Sequence, residues 1–236
     1  MTFARFLPLA LAVALIAVTG CGDSPGPATD TAAAPDQTVI AALGDSITAG
    51  SPLWDPDEGI RVAIGSEVDE RSQYEYWATQ ADPGLAFRNC GVFGERTDQI
   101  SLRLDACADG ADAIVIQGGI NDIAQGRPVP EAAADIGDMV REAKSMGLAV
   151  AIADVLPWNN GHPDADADID RLNRAIGAIG RREDVPVLPF HDTLEDPARP
   201  GTMKDAWTYE GDHPSIEGYR RLGERAFALP PGTGEG

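Results

Sequence analysis

The sequence predicts an α/β domain, a parallel sheet covered by helices on both faces. Three observations lead there. Apolar runs at residues 39–43, 113–117 and 148–153 have the length and the Val and Ile content of strands buried on both sides. Two longer segments repeat apolar residues at helical spacing: Ala133, Ile136, Val140 and Ala143 within 130–146, and Ile169, Leu172, Ile176 and Ile179 within 168–182. Strand and helix patterns alternate along the chain, the order that a parallel sheet with crossover helices requires.

The elements follow in order. The first strand, residues 39–43, is ended by Gly44. Residues 51–71 are rich in Pro, Gly, Asp and Glu and read as a long irregular connection. A helix starts at Tyr74 and covers 74–78, a short strand spans 85–88, and a short helix spans 98–106. After the strand at 113–117, the helix at 130–146 carries Pro130 in its first turn and stops at Gly147. The strand at 148–153 leads to the helix at 168–182. Residues 185–188 form an edge strand, because Pro186 cannot donate to a central ladder. Residues 214–229 close the domain as a helix.

The two ends lie outside this pattern. Arg5 precedes an apolar stretch, residues 6–18. It is shorter than the roughly 20 residues that span a bilayer but suits the core of a signal peptide. Val18-Thr19-Gly20-Cys21 resembles the lipobox of bacterial lipoproteins, whose cysteine becomes the lipidated first residue. The expected organisation is a signal peptide at 1–20, a flexible tether at 21–37 behind lipidated Cys21, one domain at 38–230 and a disordered tail at 231–236. Such a chain is exported, periplasmic or at the cell surface, and held to a membrane by its N-terminal lipid.

The net charge is −20, from 38 acidic and 18 basic residues. Nucleic acid is therefore not an expected partner, since phosphate binding relies on Lys and Arg, and a neutral small molecule fits better. In an exported chain Cys90 and Cys107 are expected to pair, closing a loop of about 18 residues; two buried thiols are the alternative.

Four short segments carry the chemistry. Gly44-Asp45-Ser46-Ile47-Thr48 places Ser46 at the carboxyl end of a buried strand, where open α/β sheets hold their ligands. Thr48 stands where the Gly-x-Ser-x-Gly elbow of α/β-hydrolases needs glycine. Asn89-Cys90-Gly91-Val92-Phe93-Gly94 and Gly118-Gly119-Ile120-Asn121-Asp122 follow two further strands, and Glu210-Gly211-Asp212-His213-Pro214 lies far downstream. In this order and behind these elements, the segments resemble the GDSL, or SGNH, hydrolase family over residues 39–229. The resemblance implies a three-layer αβα, flavodoxin-like fold with a five-stranded parallel sheet. It also implies a serine esterase that works through an acyl-enzyme, with no cofactor and no metal.

On that resemblance Ser46 is the nucleophile and His213 the general base, in a Glu-x-x-His-Pro segment similar to the family's Asp-x-x-His-Pro. Glu210 stands where the family's aspartate orients the imidazole; Asp212, or a dyad without an acid, is the alternative. The backbone N–H groups of Ser46 and Gly94 and the Asn121 side chain would hold the oxyanion. Asp45, Thr48 and Asp122 read as structural. His191 reads as a buried or capping residue, and His162 lies in a loop that could overhang the site. Trp54, Trp158 and Trp207 fit pocket walls and core edges equally. The acidic run 164–170 is not an EF-hand, since Ile169 and Ala175 stand where glycine and glutamate are needed; it reads as a helix N-terminus. The expected substrate is a small-molecule carboxylic ester, short-acyl or lipid. Alternatives are an acetyltransferase or deacetylase acting on envelope polysaccharide, or a non-catalytic envelope lipoprotein. The sequence sets no oligomeric state.

Overall fold

The apolar runs pair into one sheet in a computed structural model, which describes residues 34, 36–158 and 162–233. The expected signal peptide, Cys21, most of the tether and the tail from residue 234 lie outside the described residues. The strands are β1 (Thr38–Gly44), β2 (Leu85–Gly91), β3 (Ala113–Ile116), β4 (Ala149–Ala153) and β5 (Val187–Leu188). All pair in parallel, in the order β2-β1-β3-β4-β5. Strand β5 pairs with β4 alone, the edge place that Pro186 implies.

Alternation along the strands feeds two cores. Ala41, Leu43, Ile114, Ile116, Val150 and Ile152 point to one face, Ile40, Ala42, Ala113, Val115, Ala151 and Ala153 to the other. The ten helices among the described residues are α1 (Ser46–Ala49), α2 (Glu58–Ile64), α3 (Tyr74–Ala81), α4 (Thr97–Ser101), α5 (Leu104–Ala108), α6 (Ile120–Ala124), α7 (Val129–Ser145), α8 (Asp166–Glu183), α9 (Phe190–Leu194) and α10 (Ile216–Arg221). Ile136, Met139 and Val140 of α7 and Ile169, Leu172 and Ile176 of α8 cover the first face. Tyr74 of α3, Phe190 of α9 and Tyr219 of α10 cover the second, with the Tyr74 and Phe190 rings edge to face at 5.2 Å. This is the three-layer αβα arrangement with a five-stranded parallel sheet. Two short hairpins, β6 (Glu195–Asp196) with β7 (Arg199–Met203) and β8 (Thr208–Tyr209) with β9 (His213–Pro214), follow the sheet.

Three local expectations change. Residues 51–71 are not wholly irregular: α2 forms there, capped by the Asp57 carboxylate on the N–H groups of Gly59 and Ile60. It buries none of its residues: Ile60, Ala63 and Ile64 stand at helical spacing, but the run is only seven residues long and faces no core. The helix expected at 98–106 is two helices, α4 and α5. The chain turns at Arg103, whose guanidinium donates to the carbonyls of Gly44 (3.0 Å) and Cys90 (2.5 Å) and ties the ends of β1 and β2 together. The last helix ends at Arg221 and widens into a π turn over Leu222–Ala226 instead of running to residue 229. Cys90 of β2 and Cys107 of α5 form a disulfide, with Cα atoms 6.1 Å apart.

Strand order reverses between β1 and β3, and the loops that leave their carboxyl ends diverge to opposite faces of the sheet. That crevice is where doubly wound sheets bind ligands. The site lies there.

Candidate active site

Ser46 begins α1 directly after β1. The turn is tight because Gly44 lets the helix close onto the strand: a Cβ there would stand 2.2 Å from Thr48 Oγ1 and 2.6 Å from Gln117 Oε1. Asp45 caps the helix, its Oδ1 accepting from the Ile47 N–H at 2.9 Å, while Thr48 Oγ1 donates to Gln117 Oε1 at 2.9 Å. Asp45 and Thr48 are therefore structural, as expected. Complete burial pushes the Asp45 carboxyl up to about 6. Ser46 is 5% exposed, and as the first helical residue its N–H has no partner within α1.

Across the crevice His213 opens β9. Its Nε2 lies 3.0 Å from Ser46 Oγ, and its Nδ1 lies 3.2 Å from Asp212 Oδ2. Asp212, not Glu210, is the carboxylate on the imidazole. Glu210 stands exposed at the corner of the β8–β9 turn with φ +54, a conformation an L residue adopts at a cost. The hairpin imposes this: Tyr209 pairs with His213, and the Asp212 N–H closes the turn on the Tyr209 carbonyl at 3.2 Å. The His213 hydrogen bond holds the Asp212 carboxyl below the usual carboxylate range, against partial burial, and an N–H from Trp158 adds to the effect.

The remaining expected residues come from the loops after β2 and β3. Gly94 has φ +78, with nothing within 4 Å of where a Cβ would stand. Asn121, in α6, donates one amide hydrogen to the Glu95 carbonyl at 3.0 Å, leaving a second. Gln125 donates to the Gly94 carbonyl at 3.0 Å, so the two loops hold each other. Asp122 joins them from below. It accepts from the Thr97 N–H and hydroxyl, each at 2.9 Å, and pairs with Arg127 at 2.7 Å. Arg127 also reaches Asp135 at 2.7 Å; burial pulls its guanidinium down, and the two carboxylates together outweigh that and push it up.

Ser46, Asn121, Asp212 and His213 line a cleft of about 130 Å³. Ile47, Phe93, Ile120, Ala124 and the segment Val155, Leu156, Pro157 and Trp158 supply its apolar walls. The Phe93 ring is stacked 6.1 Å from that of His213 and is 62% exposed, at the rim. Trp158 is thus a wall residue, and His162 stacks on it with ring centroids 3.8 Å apart. Trp54 packs under Arg61, and Trp207 under Arg221 and Lys204, outside the cleft lining. His191 donates its backbone N–H to Asp154, which burial raises to about 6. His191, Asp192 and Glu195 form the one trio of potential metal ligands among the described residues, also outside the cleft lining. Gln117, Arg103 and the Trp158 bond to Asp212 were not foreseen. Gln117, the polar residue that ends the β3 run, was the one visible signal.

The model of the GDSL-like lipase/acylhydrolase family matches residues 42–221. A protein assigned to the lipolytic G-D-S-L family from Desulfitobacterium hafniense is similar in structure, with a TM-score of 0.66 and 22% identity over 80% of this chain and 97% of its own. A GDSL-like lipase from Bacteroides thetaiotaomicron gives 0.62 and 21% over 80% and 84%, and a lipase/acylhydrolase from Enterococcus faecalis 0.62 and 22% over 79% and 92%. At these identities the structural likeness carries the fold alone. None of the curated proteins matches the sequence. With a family match that runs from β1 through α10, the chain belongs to the GDSL-like lipase/acylhydrolase family of hydrolases.

Proposed function

We propose that the protein is a serine esterase that hydrolyses small carboxylic esters through an acyl-enzyme. One observation carries this reading: Ser46 Oγ and His213 Nε2 are 3.0 Å apart in an open cleft, with a carboxylate on the far side of the imidazole. A hydroxyl is a weak nucleophile until a base takes its proton, and this pair is already within reach. Ser46 Oγ attacks the ester carbonyl carbon while its proton passes to His213 Nε2, and Asp212 stabilises the resulting imidazolium. The negative charge on the carbonyl oxygen meets the Ser46 N–H and the Asn121 amide, both from residues that line the cleft, and, on the family resemblance, the N–H of Gly94, which is outside the lining but follows Phe93 at the rim. Collapse breaks the bond to the alkoxy oxygen, which leaves with the proton from His213. Water then enters by the same steps and releases the acid and Ser46.

The cleft volume supports short acyl groups. A cavity of about 150 Å³ admits benzene, and this cleft of about 130 Å³ is of that order. A non-catalytic role predicts Ser46 and His213 splayed apart, and their contact counts against it. The disulfide supports the expected export, since such bonds persist in oxidising compartments. We carry forward the lipid anchor at Cys21 with it.

The test is hydrolysis of nitrophenyl esters from acetyl to palmitoyl by the full chain and its Ser46→Ala variant. Turnover lost in the variant, with an optimum at short acyl length, is the expected result. Equal turnover in the variant refutes the nucleophile. An optimum at palmitoyl refutes the short-acyl assignment.

A further inference from the structure

Asp212 is the immediate neighbour of the histidine it serves. Its side chain is 36% exposed, so its own backbone does little to keep the carboxylate from turning to water. The restraint comes from far along the sequence. Trp158 Nε1 donates to Asp212 Oδ1 at 2.5 Å, while Oδ2 faces His213 Nδ1 at 3.2 Å. One oxygen is held by the indole and the other by the imidazole, which fixes the plane of the carboxylate. The indole is held in turn: it stacks on the His162 ring with centroids 3.8 Å apart and planes 18° apart, and it packs against the core under α7 and α8. It belongs to the same segment that walls the cleft, beside Val155, Leu156 and Pro157.

We propose that Trp158 is the positioning residue for the acid, so that one wall of the substrate cleft and the alignment of Asp212 on His213 form a single mechanical unit. The proposal rests on the esterase reading. Trp158 transfers no proton. Its N–H occupies Oδ1, which leaves Oδ2 as the acceptor for the Nδ1–H of His213 and keeps Nε2 free to take the Ser46 proton.

The test uses the full chain and the variants Trp158→Phe, Trp158→Gln, Asp212→Asn and Trp158→Phe/Asp212→Asn. Phenylalanine keeps an aromatic wall and deletes the donor. Glutamine restores an N–H the same number of bonds from Cα. A hydrogen bond to a charged group is worth enough for a loss of about tenfold in kcat in Trp158→Phe, with KM within about threefold. Trp158→Gln is expected to recover most of that loss, and the double variant to match Asp212→Asn alone within about twofold. The Nδ1–H proton of His213, observed by NMR with labelled histidine, is expected to lie downfield in the wild type and to broaden or move upfield in Trp158→Phe. A change in KM alone, losses that multiply in the double variant, or an unmoved Nδ1–H signal would each overturn the proposal. The NMR arm needs no turnover. If the wild type hydrolyses no ester, the esterase reading fails on kinetics, while the His213 signal still reports whether Trp158 holds the acid.

Discussion

Replacing Asp212 by asparagine, with Glu210→Gln beside it, separates two accounts of the acid. Asparagine keeps the shape of Asp212 and an oxygen for Trp158, but it removes the charge and turns an N–H toward His213 Nδ1. Two donors then face each other, and the imidazole must change tautomer or turn away. The lost attraction can be bounded from the 3.2 Å contact. Two unit charges at that distance interact by about 5 kcal/mol at an effective dielectric of 20 and by about 1 kcal/mol in water. Asp212 is half-buried, between these limits, so about 2–3 kcal/mol is expected. That corresponds to a loss of about 30–150-fold in kcat. Glu210 is exposed at the corner of the turn, so Glu210→Gln is expected to stay within about twofold. The assay is kcat and KM on a short nitrophenyl ester at a pH where the wild type is fully active. If Glu210→Gln loses as much as Asp212→Asn, or Asp212→Asn turns over like the wild type, the hairpin geometry does not describe the working enzyme.

Three further outcomes follow from single contacts. With Asn121 in the proposed oxyanion role, Asn121→Ala should lower kcat by about 10²–10³-fold with little change in KM; steady-state kinetics checks it. Burial holds the Asp45 carboxyl at about 6, above its ordinary 3.8, so the folded state binds more protons between those values and its charge costs stability above pH 6. Asp45→Asn, which can still cap α1, should therefore stabilise the protein at pH 8 by at most about 3 kcal/mol, the gain shrinking as pH falls from 6 to 4. A pH-independent difference in Tm would refute that assignment. Cys90→Ser/Cys107→Ser removes a cross-link across a separation of 17 residues and should cost about 3 kcal/mol, read as a Tm lower by roughly 6–12 °C without reductant.

How much was legible follows from what each part of the structure depends on. The strands and the long helices α7 and α8 were readable because each buries a continuous apolar pattern: Ala41 and Leu43 go one way, Ile40 and Ala42 the other. Helix α2 was not, because it buries nothing and is started by one side chain, Asp57. The break between α4 and α5 depends on Arg103 finding two carbonyls at the ends of other strands, a long-range partnership that local pattern does not encode. Ser46, His213 and Asn121 were legible for a different reason. They lie in short segments that resemble the family's in order: Ser46 and Asn121 follow β1 and β3 on the two sides of the crevice where strand order reverses, and His213 reaches the same crevice from the β8–β9 hairpin.

The acid shows where reading by spacing stops. Glu-x-x-His states an order along the chain, but the carboxylate that reaches Nδ1 is chosen by the turn between them. Here Tyr209 pairs with His213, leaving Glu210, Gly211 and Asp212 to close a tight hairpin in which Glu210 and Gly211 both have positive φ. That path sends Glu210 to solvent and leaves Asp212 beside the ring. A neighbouring carboxylate is loosely held by its own backbone, so its usefulness depends on a second contact, and that contact comes from Trp158, 54 residues away. Motif and acid are therefore separable in this fold. The histidine stands where β9 meets the crevice, and the carboxylate beside it is the one that the turn leaves there and Trp158 holds in place.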